Sequence, residues 1–353
     1  MVSYMLQKRA DFIGSHTLSS REEWENQFES IEGVLRISDN NVAYLNSRLA
    51  NCEELDTYLS SAAYYMFTGR NGLWLFSRRN TFLLVCWHPN YPGRILIFPQ
   101  LGECDFDLIS DLLECIPVPP FGVSIARVNA SRQSKQSGLL TSQRHIVFNE
   151  CIESILDWKF PVHILSTKRT ADLEGQKYAK VRNKIRRIRS ANTNILPFDA
   201  ISHSRAVENL LHRWAKHNAS DHEEYTTLYD PYECLISWST ERTLGLSGLM
   251  VFIDNKLQAV TLWDVSNGQQ KTANLFVNFC NIDIIGLSDF MVVESCKTLR
   301  DQGVDYLNLG GSESDGLDSF KRKFCPARSI NMCSIDVRID KTNCAANTNL
   351  AVA

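Results

Sequence analysis

Short apolar runs of strand length alternate with amphipathic stretches along this chain. In the first half, Leu73 to Phe76, Phe82 to Trp87 and Arg94 to Phe98 are aromatic and β-branched, separated by Arg78, Arg79 and Asn80 and by Pro89 to Gly93. That spacing predicts an antiparallel meander. A helix from about Phe106 to Cys115 stops before Pro117, Pro119 and Pro120, and Val123 to Val128 predicts another strand. Residues 129–138 are polar and poor in helix formers, which predicts a mobile loop.

The second half repeats this order with sharper signals. A strand at Val162 to Ser166 leads into a basic helix. A strand at Ile195 to Phe198, helices from Ser204 to Asn218 and Tyr232 to Thr240, and a three-strand meander from Leu249 to Phe279 follow. A helix from Ser288 to Gln302 has Ser288 as a candidate N-cap, Asp289 in its first turn and Gly303 at its left-handed end. Strands at Val304 and from Ile330 to Val337 are expected to close this half. The whole pattern predicts an α+β fold, with mostly antiparallel sheets flanked by helices and, in the second half, one strand–helix–strand crossover near the end.

A chain of 353 residues suits two domains, and 44% hydrophobic with 22% charged residues is ordinary globular composition. We place the expected boundary near Trp158, giving domains 1–157 and 158–340 and a flexible tail 341–353. The two halves read as remote copies of one fold. The 11 cysteines stand singly, as at Cys52, Cys86, Cys104, Cys115 and Cys151, with no histidine at ligand spacing. This argues against a disulfide framework or a metal site and suits a reducing, cytoplasmic setting. Met1 to Arg9 is followed by no long apolar region, and no run nears the roughly 18 residues needed to span a bilayer, so stable membrane insertion is not expected.

Net charge is only −3, but Lys168 to Arg189 holds nine basic residues against Asp172 and Glu174. Tyr178, Val181, Ile185 and Ile188 form one apolar stripe, while Lys177, Lys180, Arg182, Lys184, Arg186, Arg187 and Arg189 take the other faces. A solvated helix is the plain alternative. Seven like charges without acids at i±4 repel unless an anion is present, which points to a polyanion partner.

The richest stretch is Gly303 to Phe324. A short apolar strand runs into Gly310 and Gly311, which leave its end open, and then Ser312, Glu313, Asp315 and Asp318 precede Phe320, Lys321, Arg322, Lys323 and Phe324. Acids and cations thus converge within one loop and one turn. Glu313 and Asp315 suit holding an ammonium or taking a proton from an attacking amine; equally, either suits capping the next turn. Trp263, Asp264, Asn274, Asn278 and the Trp214 to His217 helix end are further pocket candidates. His212, His217 and His222 lack partners at a recognisable spacing, and Ser61 to Tyr65 has no assignable chemistry.

The run Gly316-Leu-Asp-Ser-Phe-Lys-Arg-Lys-Phe324 resembles the Gly-Leu-x-x-Phe-Lys-x-x-Phe tail of the Fem-type and phosphatidylglycerol-lysyltransferase-type aminoacyltransferases, and Gly175-Gln-Lys-Tyr-Ala-Lys-Val-Arg-Asn183 is similar to a basic helix of the same superfamily. The resemblance covers most of the second half. It implies two tandem GNAT (acyl-CoA N-acyltransferase)-like domains, the first degenerate, and transfer from aminoacyl-tRNA with no cofactor. It also places the charge-stabilising role on Lys321, with Lys323 as second candidate, and implies substrate contacts at Gly310, Gly311, Ser312, Phe320, Lys323, Trp263 and Asn274. The acceptor implied for a chain without a membrane segment is a small or peptide-like amine or hydroxyl compound, as in natural-product biosynthesis. An acyl-CoA-dependent N-acyltransferase on the same fold is the alternative. Its usual glycine-rich pyrophosphate turn is weak here, since Asn278 to Ser288 has one glycine and no opening base.

Overall fold

The structure, a computed structural model, describes residues 18–50, 52, 57–89, 93–101, 108–117, 119, 122–129, 146–151, 160–189, 192–240, 244–266, 271–312 and 314–339. The expected boundary at Trp158, the loop 130–138, the tail 341–353 and Met1 to Arg9 lie outside these residues. The chain forms two compact units, one of Met1–Ser38, Thr68–Leu156 and Met332–Ala353, the other of Asp39–Phe67 and Asp157–Asn331. Each unit draws on separated stretches of chain, where the sequence suggested one continuous stretch apiece.

The first unit opens with α1 (Leu18–Glu29) and β1 (Val34–Ile37). The second takes α2 (Val42–Ala50), a 3₁₀ turn Thr57–Ser60 and most of α3 (Ala62–Thr68). The chain then returns to the first unit for β2 (Leu73–Arg78), β3 (Thr81–Trp87), β4 (Ile95–Ile97), α4 (Leu108–Cys115), β5 (Val123–Asn129) and β6 (Ile146–Cys151). Every residue of β3 is buried, as a central strand covered on both faces requires. Trp24 and Phe28 of α1 pack with Trp74 and Trp87, and the indole N–H groups of these two tryptophans donate to Glu29 and Glu25 at 2.8 Å each.

The second unit continues with β7 (Val162–Ser166), α5 (Thr167–Asp172), α6 (Ala179–Arg189), β8 (Thr193–Pro197), α7 (Ala200–Asn218) and α8 (His222–Thr240). After these come β9 (Ser247–Ile253), β10 (Lys256–Val265), β11 (Thr272–Cys280), α9 (Leu287–Asp301), β12 (Tyr306–Asn308), α10 (Asp315–Arg322) and β13 (Arg328–Ile330). Its sheet has the order β13-β7-β12-β11-β10-β9-β8, antiparallel except for the β11–β12 pair. One apolar core joins Leu165, Trp263, Ala273 and Leu307 of this sheet to α5, α6 and α9; the opposite face packs Val260, Leu262 and Val277 against α7 and α8.

Two expectations are corrected. The closing strand expected from Ile330 is two strands, β13 and β14 (Met332–Ile339), and β14 pairs with β5 and β6 of the first unit. The first sheet is thereby completed to seven strands, β1-β2-β3-β4-β5-β14-β6, with its own parallel pair at β4–β5. The β4–β5 pair is the first sheet's counterpart of the crossover expected near the end of the second half and found at β11–β12. The N-cap of α9 is Gly286 and not Ser288, because φ at Gly286 is 90° and a Cβ there would come within 2.8 Å of the Lys184 carbonyl oxygen. Gly303 does take the left-handed conformation, at φ 74°.

Candidate active site

The parallel pair β11–β12 carries the site. Asp264, Asn274 and Asn308 stand opposite one another across β10, β11 and β12, so their side chains form one row on the sheet. Asn308 Nδ2 donates to Asn274 Oδ1 at 3.0 Å, and Asn274 Nδ2 donates to Asp264 Oδ1 at 2.9 Å. The other Asp264 oxygen accepts from the Ser61 hydroxyl. Ser61 lies just ahead of α3, where its oxygen accepts from the Tyr64 N–H at 3.0 Å. Asn274 and Asn308 are fully buried, and such side-chain amides persist in a core only when bonded. Burial pushes the Asp264 carboxyl up to about 6, with the Ser61 and Asn274 hydrogen bonds working against that rise.

The row reaches the end of β12 through Asn308 Oδ1, which accepts from the Gly310 N–H at 2.9 Å. Gly310 sits at φ 72°, and a Cβ on it would lie 3.0 Å from the Tyr58 hydroxyl. That hydroxyl donates to the Leu275 carbonyl at 2.7 Å, so Tyr58 is fixed over the glycine turn. The carbonyl of Gly310 accepts from Lys321 Nζ at 3.4 Å, and the Gly311 carbonyl accepts from the same ammonium. One glycine therefore links the polar row to Lys321, whose residue is only 8% exposed.

Lys321 is delivered by α10. Ser314 caps this helix by accepting from the Leu317 N–H, and Asp315 and Asp318 occupy the first turn, where negative charge is favoured. Asp318 is buried and meets His163 Nε2 of β7 at 2.7 Å, while His163 Nδ1 meets the Ser329 hydroxyl of β13 at 2.9 Å. Burial would raise the Asp318 carboxyl, but hydrogen bonds from His163 and Arg322 outweigh it and hold the group below its ordinary range. This clasp fixes α10 to the sheet. Phe320 and Phe324 meet edge to face at 5.5 Å, and Phe324 is wholly buried.

Lys321 is thus brought to Gly310 and Gly311, and Ser312 is buried in the same turn. Asp315 stands exposed on the first turn of α10, and Glu313 lies outside the described residues. Lys323 goes elsewhere. Its ammonium lies 2.7 Å from Asp289 in the first turn of α9 and 3.8 Å from the Phe320 ring centroid. Burial lowers its pKa, with Asp289 opposing. Trp263 faces the core beneath the sheet, away from the row that starts at Asp264. His163, Ser61 and Tyr58 were not singled out from the sequence. A histidine inside the apolar strand Val162 to Leu165 is a polar group that burial obliges to find partners, and that was the available signal for it. Ser61 and Tyr58 gave none, since their partners lie more than 200 residues away.

On α6 the expected stripe is buried: Val181, Ile185 and Ile188, with Tyr178 just ahead of the helix. Lys177, Lys180, Lys184, Arg186, Arg187 and Arg189 are exposed. Arg189 also lies 3.7 Å from Glu294. Arg182 is a correction: its guanidinium turns back onto the carbonyls of Leu173 and of Gly175, the latter at 2.8 Å, and serves the backbone bend before the helix. His212 meets the Tyr225 hydroxyl at 2.8 Å. No helix among the described residues is long and apolar enough to cross a membrane.

Residues 163–329 match the family model described as phosphatidylglycerol lysyltransferase, C-terminal. No curated protein matches the chain. Among solved structures, a conserved protein of unknown function from Bacteroides thetaiotaomicron is similar at TM-score 0.68 and 15% identity, covering 86% of this chain and 99% of that one. The L-PGS structure from Bacillus licheniformis is similar at TM-score 0.57 and 13% identity, covering 85% and 92%. FemX is similar at TM-score 0.54 and 12% identity, covering 86% and 96%. A tandem GNAT protein from the clavulanic acid biosynthesis pathway is similar at TM-score 0.51 and 7% identity, covering 87% and 98%, and the fold is two GNAT-like α+β units in tandem.

Proposed function

We propose that this protein is an aminoacyltransferase of the Fem and phosphatidylglycerol-lysyltransferase type, moving an aminoacyl group from aminoacyl-tRNA to a small or peptide-like amine or hydroxyl acceptor, a reading supported by the family match of residues 163–329. The observation that carries this reading is the placement of Lys321, a buried ammonium fixed on the carbonyls that end β12. Attack of an amine on the aminoacyl ester forms a C–N bond and a tetrahedral oxyanion; collapse breaks the ester C–O bond, and the amine's proton leaves with the ribose hydroxyl. A cation held in a dry, preorganised site lowers the energy of both the oxyanion and the departing alkoxide without reorganising. Glu313 and Asp315 are proposed to receive the amine proton or hold the aminoacyl ammonium, and Gly310, Gly311, Ser312, Phe320 and Asn274 to shape the pocket around the ester.

The exposed cations Lys177, Lys180, Lys184, Arg186, Arg187 and Arg189 are proposed to bind the tRNA phosphates, which positions the donor without reading its sequence. The start of α9 disfavours acyl-CoA. In GNAT folds a pyrophosphate takes the positive end of that helix, whereas here the first turn already holds the buried Asp289 carboxylate, paired with Lys323. The test supplies charged tRNA and acyl-CoA separately, with a mixture of small amines, and follows loss of each donor. Consumption of charged tRNA alone is expected. Consumption of acyl-CoA alone overturns the reading.

A further inference from the structure

Beside Asp264 the second unit has a cavity of about 240 Å³, formed where α2 and the 3₁₀ turn at Thr57–Ser60 meet the end of β10. Its walls are of two kinds. Leu49, Ala62 and Leu244 are apolar, whereas Asn46, Ser60 and Ser266 offer neutral oxygens. Among the described residues, Asp264 supplies the one carboxylate that lines this cavity, and no lysine, arginine or histidine of those residues lines it. Cys52 is the other titratable side chain among the described lining residues.

A carboxylate has about four acceptor positions, and the Ser61 hydroxyl and the Asn274 amide occupy one on each oxygen of Asp264. Both partners are neutral, so they orient the group without cancelling its charge. With its carboxyl raised to about 6, Asp264 is ionised at neutral pH, and the hydrogen-bond partners it has among the described residues, Ser61 and Asn274, are both uncharged. A half-buried charge of this kind favours an incoming cation strongly, because the cost of desolvating the carboxylate is already met by the fold. The cavity's apolar side adds a preference for hydrocarbon next to that cation.

We propose that this cavity binds a small aliphatic primary amine as its ammonium ion, with Asp264 receiving the charge and Leu49 and Leu244 covering the stem. It rests on the aminoacyltransferase reading only in identifying that amine as the acceptor, whose nitrogen attacks after its extra proton has passed to the Asp264 carboxylate; the binding site itself stands on the cavity and its carboxylate. Asp264, Asn274, Asn308, Gly310 and Lys321 form one hydrogen-bonded sequence, so amine binding at one end is mechanically joined to the turn that holds the ammonium of Lys321.

The probes are n-butylamine, charged at neutral pH, and n-butanol, its neutral counterpart of equal length, titrated into the whole protein and followed by NMR or calorimetry. Wild type is expected to bind the amine at least tenfold more tightly than the alcohol. Asp264→Asn, which keeps a partner for Ser61 and Asn274, is expected to bring both to the same affinity. Equal affinities in wild type overturn the proposal, and this comparison needs no variant to fold. A folded Asp264→Asn protein that keeps the preference overturns it as well. Amine binding without consumption of charged tRNA would remove the aminoacyltransferase reading and leave the site; consumption of charged tRNA with no preference for butylamine would do the reverse.

Discussion

Two lysines two positions apart have different work, and substitution separates them. Lys321→Ala removes the buried ammonium from the Gly310 and Gly311 carbonyls and is expected to slow aminoacyl transfer by roughly 10²-fold or more, with binding of charged tRNA nearly unchanged. Lys323→Ala instead strips the partner from the buried Asp289 carboxylate, which is expected to cost about 1–3 kcal/mol of stability while transfer by the folded fraction persists. Single-turnover rates and melting curves on the same two variants check both statements. Should Lys323→Ala stop the chemistry and Lys321→Ala spare it, the assignment of the motif's register is wrong. Asp318 adds a pH dependence. Its carboxyl is held below the ordinary range, so its contribution is present above the unfolded value of about 3.9 and is lost as pH falls through the folded one. Asp318→Asn is therefore expected to be less stable than wild type at neutral pH and to lose less stability on going from pH 4 downward, measured by denaturant titration across that range.

At the scale of elements, α6 is an amphipathic helix whose polar side is almost wholly cationic, and its value as an RNA-facing surface rests on which cations point outward. Arg182 is spent on backbone carbonyls, so it belongs to folding. Lys184→Ala, Arg186→Ala and Arg187→Ala together are expected to weaken charged-tRNA binding and to flatten its dependence on salt, since each lost phosphate contact releases about one counterion fewer. Unchanged affinity in the folded triple variant returns α6 to an ordinary solvated helix. The sequence made this element legible because a 3.6-residue period of Tyr178, Val181, Ile185 and Ile188 is a local signal. The same locality explains what it hid. Arg182 reaches carbonyls that are recognisable only once the bend at Gly175 exists, and Ser288 looked like a cap because the close approach of Lys184 to Gly286 is a tertiary contact. Lys321 could be singled out from its motif, whereas the Asp264 row needed the β10–β11–β12 register before three distant polar residues became one feature.

For the whole molecule, the least local feature is the fate of β14. In the second sheet β12 is followed by β7 and β13; in the first, the corresponding places beside β5 are taken by β14 and β6. The first sheet thus includes a strand from beyond the second unit's sequence, and hydrophobic patterning alone cannot assign such a strand, because its alternation is satisfied by either sheet. β14 lies between β5 and β6, pairing with Val123 to Asn129 on one side and Ile146 to Cys151 on the other, and its Ile335 and Val337 are buried in the first unit's core. Ending the chain after Asn331 leaves β6 without its described neighbour and leaves one hydrogen-bonding edge of β5 unpaired, although every strand of the second sheet remains. Hydrogen exchange on that shortened protein is expected to show lost protection in β5 and β6 with protection retained in β7, β10 and β11. Equal loss in both sheets would mean that the two units fold as one cooperative block, and undiminished protection of β5 would mean that β14 contributes little to the first.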